Sequence, residues 1–265
     1  MQKSVLFSAA AAVVVSMAWL PTEARAQAAL NDKVIVSANL GIQVGDNDLA
    51  RSTSFDLNEE TATIDFAQTI NNGFFFEFGG AYKVTPNFGV GLTYGFLSNS
   101  GTGNVSGSLP HPLFFDRPRT FSADVDDLAH SEQALHFQAI YFMPFTDKVD
   151  FTFSFGPSLF NVKQVLLTGV SYTDVPPSFD SVTIDAVNSV ELRDSGWGFN
   201  LGGEVTYALT PTIGANGLLR YSHGNVEFNP PGQYSYGNVE LNPPGQTADV
   251  GAGGFQIGVG LKYRF

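Results

Sequence analysis

Few residues in this chain of 265 could perform acid–base, nucleophilic or metal chemistry, since it contains no cysteine and only four histidines. His111, His130, His136 and His223 lack the close, regular spacing of zinc ligands. His130 and Ser131 are adjacent, so in a strand their side chains point to opposite faces and cannot form a nucleophile–base pair. His136 is expected on an inner strand face, where a histidine more often packs or forms hydrogen bonds. We therefore predict no catalytic residue, no metal site and no cofactor, in a protein that is not an enzyme.

A second group of polar residues consists of charges that fall between small residues in alternating segments. Glu77 lies eight residues before Thr85 and Arg220 nine after Pro211, both in predicted turns, so the two charges are expected at one height. Charges in a narrow, dry interior must pair, which predicts a salt-bridge network that closes the interior. A gate for small solutes is the alternative. The predicted network comprises Glu77, Lys83, Glu204, Arg220, Lys262 and Arg264.

The segment from Leu109 to Arg119 combines three prolines with two phenylalanines and two arginines. Aromatic residues next to arginine are typical of binding hot spots. The segment is therefore a candidate interaction loop. In the alternative, the loop folds onto the rim of the fold with its phenylalanines buried and Arg117 paired with an aspartate. The candidate residues are Phe114, Phe115, Arg117 and Arg119.

Residues Tyr221 to Gln233 and Tyr234 to Gln246 form a tandem repeat that is identical at eleven of thirteen positions. Each copy contains a Pro-Pro pair, which cannot occupy a central strand because proline donates no ladder hydrogen bond. The preceding strand is expected to end near Tyr221, which places both Asn-Pro-Pro-Gly segments in an extracellular loop where added length costs little. We therefore predict that one copy is dispensable.

The elements that must position these residues are strands, because large apolar residues alternate with small or polar ones along most of the chain. Short turns at Pro86, Asp147 and Pro211 alternate with long connections. The first of these, Gly45 to Asn72, is expected to be a hairpin that extends the first two strands. The other predicted long loops cover about residues 98–132 and 163–194 and the connection to the last strand. The fold class predicted is all-β: a transmembrane, antiparallel, up-and-down β-barrel of about eight strands, with ten as the alternative, long extracellular loops and short periplasmic turns.

Alternation alone does not distinguish a membrane barrel from a soluble lipocalin-type barrel with its apolar face inward. The interior of an eight-stranded barrel is only wide enough for side chains. The aromatic rows would overfill it, whereas glycine, serine, threonine and asparagine fit. The aromatic face is therefore expected to point outward into lipid.

The N-terminus has the features of a cleaved secretory signal peptide. Lys3 is followed by an apolar run from Val5 to Leu20, and cleavage is expected after Ala26 or Ala28. The predicted organisation is a signal peptide over residues 1–26 and one barrel domain over residues 27–265.

The last eleven residues, Phe255 to Phe265, alternate without interruption and end on an aromatic residue. The strand rows and this ending resemble the small outer-membrane β-barrel family that includes the barrel domain of outer-membrane protein A and the opacity-type proteins. The resemblance implies a location in the cell outer membrane and recognition of Tyr263 and Phe265 by the barrel-assembly machinery. The expected partners are outer-membrane lipid, that machinery and an unidentified extracellular ligand or envelope partner.

The formal net charge of −12 argues against a nucleic-acid partner, because phosphates would be repelled. The predicted function is a non-enzymatic one: a structural role, or surface interaction through the extracellular loops. The alternatives are a narrow passive channel for small solutes and an enzyme that acts on lipid or peptide at the rim.

Overall fold

The computed structural model describes residues 33–45, 48–230, 234–236, 239–241 and 247–265. All its regular elements are strands: β1 (Val34–Val44), β2 (Asp48–Leu57), β3 (Glu60–Ile70), β4 (Gly73–Lys83), β5 (Phe88–Leu109), β6 (Arg119–Pro144), β7 (Val149–Asp174), β8 (Val182–Ala208), β9 (Ile213–Phe228), β10 (Tyr234–Tyr236), β11 (Val239–Leu241) and β12 (Ala248–Arg264). Within these residues no helix is long and apolar enough to cross a membrane. The predicted signal peptide lies outside the described residues.

A closed antiparallel ring forms the wall of the molecule. The first strand, β1, pairs with the last, β12, on one side and with β4 on the other. The ring continues from β4 through β5, β6, β7, β8 and β9 back to β12. Closure removes the unpaired backbone edges that lipid cannot satisfy. The predicted antiparallel β-barrel is confirmed.

In the part of the ring next to the short turns, the outer face is an apolar belt, as the alternating pattern predicted. Phe74, Phe155 and Trp197 are 77 %, 63 % and 66 % exposed. The inner face of the same strands is mostly polar and buried, although a few large apolar residues also lie inside. These inward apolar residues include Phe75, Phe142, Phe160 and Leu218. A polar interior inside an apolar belt is the arrangement expected of a barrel surrounded by lipid.

The segments predicted as long loops are mostly strands in the structure. β5 and β6 stay paired as far as Leu109 and Arg119, and β7 and β8 as far as Asp174 and Val182. The strands thus continue well above the apolar belt, and only the tips are loops. The predicted first hairpin exists as β2–β3, but β3 pairs with the upper part of β5 and does not extend the first two strands.

Two sheets pack against each other above the belt. The sheet β2–β3–β5–β6 faces the β7–β8 hairpin across a buried apolar core. The members of that core are Ala62, Ile64, Phe66, Val105, Leu109, Leu128, Leu167, Val170 and Tyr172. A second core, between this region and the barrel, includes Phe160, Val162, Val226, Phe228 and Val250. The extracellular part therefore has an ordinary apolar interior.

The tandem repeat does not lie wholly in a loop as predicted. The first copy supplies Tyr221–Phe228, which belongs to β9 and pairs with β8 or β12. In the second copy, β10 and β11 form a short hairpin, and β10 pairs in parallel with β7 at Ser171 and Tyr172. The second Asn-Pro-Pro-Gly segment lies outside the described residues.

Candidate functional site

The centre of the barrel contains a buried ion pair between Glu77 on β4 and Arg220 on β9. Each side chain is only 1 % exposed. The contact is bidentate, and Arg220 Nη2 donates to Glu77 Oε1 over 3.0 Å. Asn39 of β1 donates a further hydrogen bond of 2.8 Å to the same oxygen. The structure thus brings together the two charges expected at one height, and each is satisfied by a partner from another strand.

Amides and hydroxyls fill the space around this ion pair. Asn216 donates to Asn39 Oδ1 over 2.9 Å. Across the lumen, Thr93 donates to Gln138 Oε1 over 3.0 Å, and Gln138 donates to Asn200 Oδ1 over 3.3 Å. These bonds form two groups, one on β1, β4 and β9 and the other on β5, β6 and β8. Polar side chains from both groups therefore occupy the lumen at this level.

The remaining predicted lumen charges lie toward the periplasmic end. Lys262 forms an ion pair with Glu204, and Arg264 forms one with Asp150. The Lys83 ammonium lies 5.1 Å from the centre of the Phe142 ring. All three basic side chains thus have partners. Of the three, only Lys262 pairs with another member of the predicted network, Glu204.

Above the central pair, a second buried cluster joins the polar lumen to the apolar core. Glu132 accepts hydrogen bonds from Gln43 over 3.1 Å and from the Gly253 N–H over 3.0 Å. His130 Nε2 lies 2.9 Å from Glu132 Oε1, and its Nδ1 lies 2.5 Å from Gln164 Oε1. A cavity of about 10 Å³ lies against Gln43 and Glu132, which is room for at most one water molecule. Sequence reasoning missed Glu132 and Gln164, although their place in the inward row of polar residues was available as a signal.

The histidines most relevant to catalysis are enclosed. His136 is buried on the inner face, as predicted, and its Nδ1 lies 2.7 Å from Ser158 Oγ. His130 is 2 % exposed. In the described part of the chain, no group of three His, Cys, Asp or Glu residues could hold a metal ion.

The candidate interaction loop, residues 110–118, forms the tip of the β5–β6 hairpin. His111 is buried there, and its Nδ1 accepts from the N–H groups of Leu113 and Phe114 over 3.1 and 3.2 Å. The ring proton must then be on Nε2, which donates to Ser178 O over 3.1 Å. This histidine therefore shapes its own loop and joins it to the loop between β7 and β8.

Arg119 is the second link between the two tip loops. It is buried, forms an ion pair with Asp174, and donates to Pro110 O over 2.7 Å. Arg119 is therefore a structural residue, which contradicts its predicted place in the exposed interaction set. The four candidates are close together in the sequence and were therefore predicted as one group. Their spacing does not show that Arg119 begins β6, where it meets Asp174 at the end of β7.

The other three candidates are exposed at the tip. Phe114 and Phe115 are 52 % and 70 % exposed, and the neighbouring Leu113 is 65 % exposed. Arg117 forms an ion pair of 3.2 Å with Asp180 and lies 5.5 Å from the Phe114 ring centre. The alternative in which these phenylalanines are buried on the rim is wrong, although its pairing of Arg117 with an aspartate is present.

The C-terminal residues lie at the seam of the ring. The Phe265 N–H donates to Val34 O over 2.9 Å, and its ring contacts Tyr263 edge-on, with 4.6 Å between ring centres. Both aromatic residues therefore belong to the junction between β12 and β1.

Residues 7–265 match the model of a family described as outer membrane protein beta-barrel domain. OprG from Pseudomonas aeruginosa is a similar solved structure, with 11 % identity, 89 % of this chain and 97 % of that chain covered, and a TM-score of 0.47. Neisserial surface protein A has 12 % identity, coverage of 88 % and 97 %, and a TM-score of 0.41. Ail of Yersinia pestis, solved with a heparin analogue, has 10 % identity, coverage of 87 % and 99 %, and a TM-score of 0.35. The search of curated proteins finds no match.

Proposed function

This chain belongs to the family of outer-membrane β-barrel domains, and we propose that it is a non-enzymatic surface protein that binds a partner through its extracellular tip. The cell outer membrane is its location, as the family match and the apolar belt show. The observation that carries the proposal is the exposure of Leu113, Phe114 and Phe115 on a loop that is fixed from below. An exposed apolar cluster is costly in water and marks an interaction site when it is held rigidly.

The rigidity of the tip comes from contacts that leave its apolar side chains free. His111 organises the backbone on which Leu113 and Phe114 lie. Arg119 joins this loop to Asp174 on β7 through a buried ion pair. A binding loop that is already ordered loses less conformational entropy when it meets its partner. The tip therefore has both the composition and the order of an interaction surface.

The interior of the barrel favours this role over that of a channel. The Glu77–Arg220 pair blocks the centre of the lumen, and the apolar core of the extracellular sheets lies over it. Passage of a solute would require both layers to open. The burial of His130 and His136 likewise supports a role without catalysis, because neither ring is presented to a substrate at the rim.

A cell-attachment assay tests the proposal. Cells that express the wild-type protein should attach more than vector controls to at least one surface coated with fibronectin, laminin, mucin or whole bacterial cells. Phe115→Ser should remove most of that gain, because it removes the most exposed ring of the tip. Phe145→Ser is the matched control, because Phe145 is 68 % exposed in a turn at the opposite end.

Two results would contradict the proposal. Attachment that Phe115→Ser and Phe145→Ser leave equally unchanged would exclude the tip as the interaction surface. Steady single-channel conductance of the purified protein in planar bilayers would favour the channel alternative. Folding of each variant is checked by the gel shift between unheated and boiled samples.

A further inference from the structure

Two basic residues lie opposite each other on the outer face of the wall, just above the apolar belt. Lys163 on β7 and Arg193 on β8 are partners in the strand register. Side chains at such positions have Cβ atoms about 4.5–5.5 Å apart, and like charges placed there destabilise a sheet. Two adjacent cations on the outer face of the wall can contact a single anion together.

The height of this pair matches the headgroup layer. The register places Leu159 opposite Trp197, and the next outward pairs are Asn161 with Ser195 and then Lys163 with Arg193. Trp197 is 66 % exposed and ends the aromatic row of β8, where tryptophan marks the membrane interface. Four residues at about 3.3 Å each, on a strand tilted by roughly 40°, place Arg193 about 10 Å above Trp197. A long basic side chain at that height can reach the headgroups, which extend roughly 5–7 Å beyond the hydrocarbon.

Lys163 and Arg193 differ from the other described basic residues in position and in their contacts. Among the described lysines and arginines, these two alone lie outward on the ring strands directly above the belt. Lys163 contacts Glu191 over 2.7 Å, but both side chains are substantially exposed, so the pair is worth about 0–1 kcal/mol. Within the described residues, Arg193 has no ion pair. One weakly held and one available cation thus face the membrane surface of an otherwise acidic protein.

We propose that Lys163 and Arg193 bind a phosphate group of the outer-leaflet glycolipid, with Trp197 packed against its acyl chains. The extracellular side of the wall faces that leaflet, whose glycolipid carries phosphates on its sugar headgroup. Arginine binds phosphate through two parallel hydrogen bonds, and lysine adds a point charge. The bound phosphate relieves the repulsion between the two cations and fixes the height of the barrel in the membrane.

Binding of bisphosphorylated lipid A to the protein in phosphatidylcholine nanodiscs tests the proposal. The double variant Lys163→Gln, Arg193→Gln should lower the affinity about tenfold or more. Glu191→Gln should raise it two- to threefold, because it removes the competing carboxylate. The control variant Lys33→Gln, Lys148→Gln removes the same charge at the opposite end and should leave the affinity unchanged.

The proposal is overturned if the double variant binds lipid A within twofold of wild type. It also fails if dephosphorylated lipid A binds equally well, since the phosphate would then have no part in recognition. Equal affinity for phosphatidylglycerol would show a general preference for anions and would exclude the glycolipid as the specific ligand. The double variant is expected to fold, because both side chains lie on the surface, and the heat-induced gel shift verifies this.

Discussion

Strand β7 passes through two regions of the molecule that differ in what they bury. In its lower part, Phe153 and Phe155 point outward and are exposed, while Ser154 and Ser158 are buried inside. Above Leu159 this arrangement reverses: Phe160 and Val162 are buried inside, while Asn161 and Lys163 take the outer face. Strand β9 changes in the same way between Tyr221 and Val226. The interior of each region is the complement of its surroundings: lipid requires an apolar exterior, whereas water drives apolar residues inward.

Different interactions also stabilise the two interiors. In the membrane part, hydrophobic burial cannot distinguish the lumen from the lipid, so ordered contacts inside depend on paired charges and amides. In the extracellular part, apolar side chains pack as in a soluble protein. Perturbing the two interiors should therefore have distinct consequences.

The largest effect is expected from breaking the central ion pair of the membrane part. Glu77→Gln leaves the Arg220 cation buried without its counter-charge and should cost about 3–5 kcal/mol of unfolding free energy. Adding Arg220→Gln should recover part of that loss. Equilibrium unfolding in lipid vesicles measures both. Glu191→Gln, the same change in an exposed pair, should cost only about 0–1 kcal/mol. Additive losses in the double-mutant cycle would show that Glu77 and Arg220 do not interact.

A cavity in the extracellular core should have a smaller effect that stays in that region. Leu167→Ala removes a fully buried side chain and should cost about 2–4 kcal/mol. Protease added outside intact cells should then cut the extracellular strands faster, while the heat-induced gel shift of the barrel persists. Leu113→Ala, the same change at the exposed tip, should alter stability by less than about 0.5 kcal/mol. Loss of the folded barrel in Leu167→Ala would mean that the two regions fold as one unit.

The seam of the membrane part offers a test of assembly against stability. Deleting Phe265 removes one backbone hydrogen bond and one ring contact, so unfolding in detergent should change by about 1–2 kcal/mol. If the barrel-assembly machinery recognises the terminal aromatic residue, the folded yield in cells should fall much further than this loss of stability accounts for. Equal effects in cells and in detergent would indicate that Phe265 only packs.

The smallest effect is expected from deleting the second copy of the repeat, Tyr234 to Gln246. The ring strands remain complete without it, and β10 pairs with β7 at only two register positions. The gel shift should persist, and the thermal midpoint should fall by no more than about 4 °C, since about 1 kcal/mol shifts the midpoint of a large domain by 2–4 °C. Loss of the folded band would show that this segment supports the extracellular part far more than its two pairs suggest.

The sequence by itself determined the strands that form the wall of the membrane part and the face of each strand that meets lipid. Uninterrupted alternation from Phe255 to Phe265, together with the turns at Pro86, Asp147 and Pro211, predicts strands, their order and the face that meets lipid. The expected height of Glu77 and Arg220 followed from counting residues between turns. Each of these predictions depends on local periodicity, which can be read within one segment of the sequence without knowing its distant neighbours.

Only the tertiary structure decided how far the strands continue and what lies between them. The upper parts of β5 to β8 contain glycine and serine residues that favour loops, but pairing and the shared apolar core keep these segments extended. In β7 the apolar residues also shift from odd positions in Phe151–Phe155 to even positions at Phe160 and Val162. This shift is visible in the sequence, but it can be interpreted only once the membrane surface is located. The burial of Arg119 opposite Asp174 likewise depends on the meeting of two hairpins distant in the chain. Such contacts are set by packing between segments, and alternation within one segment cannot specify them.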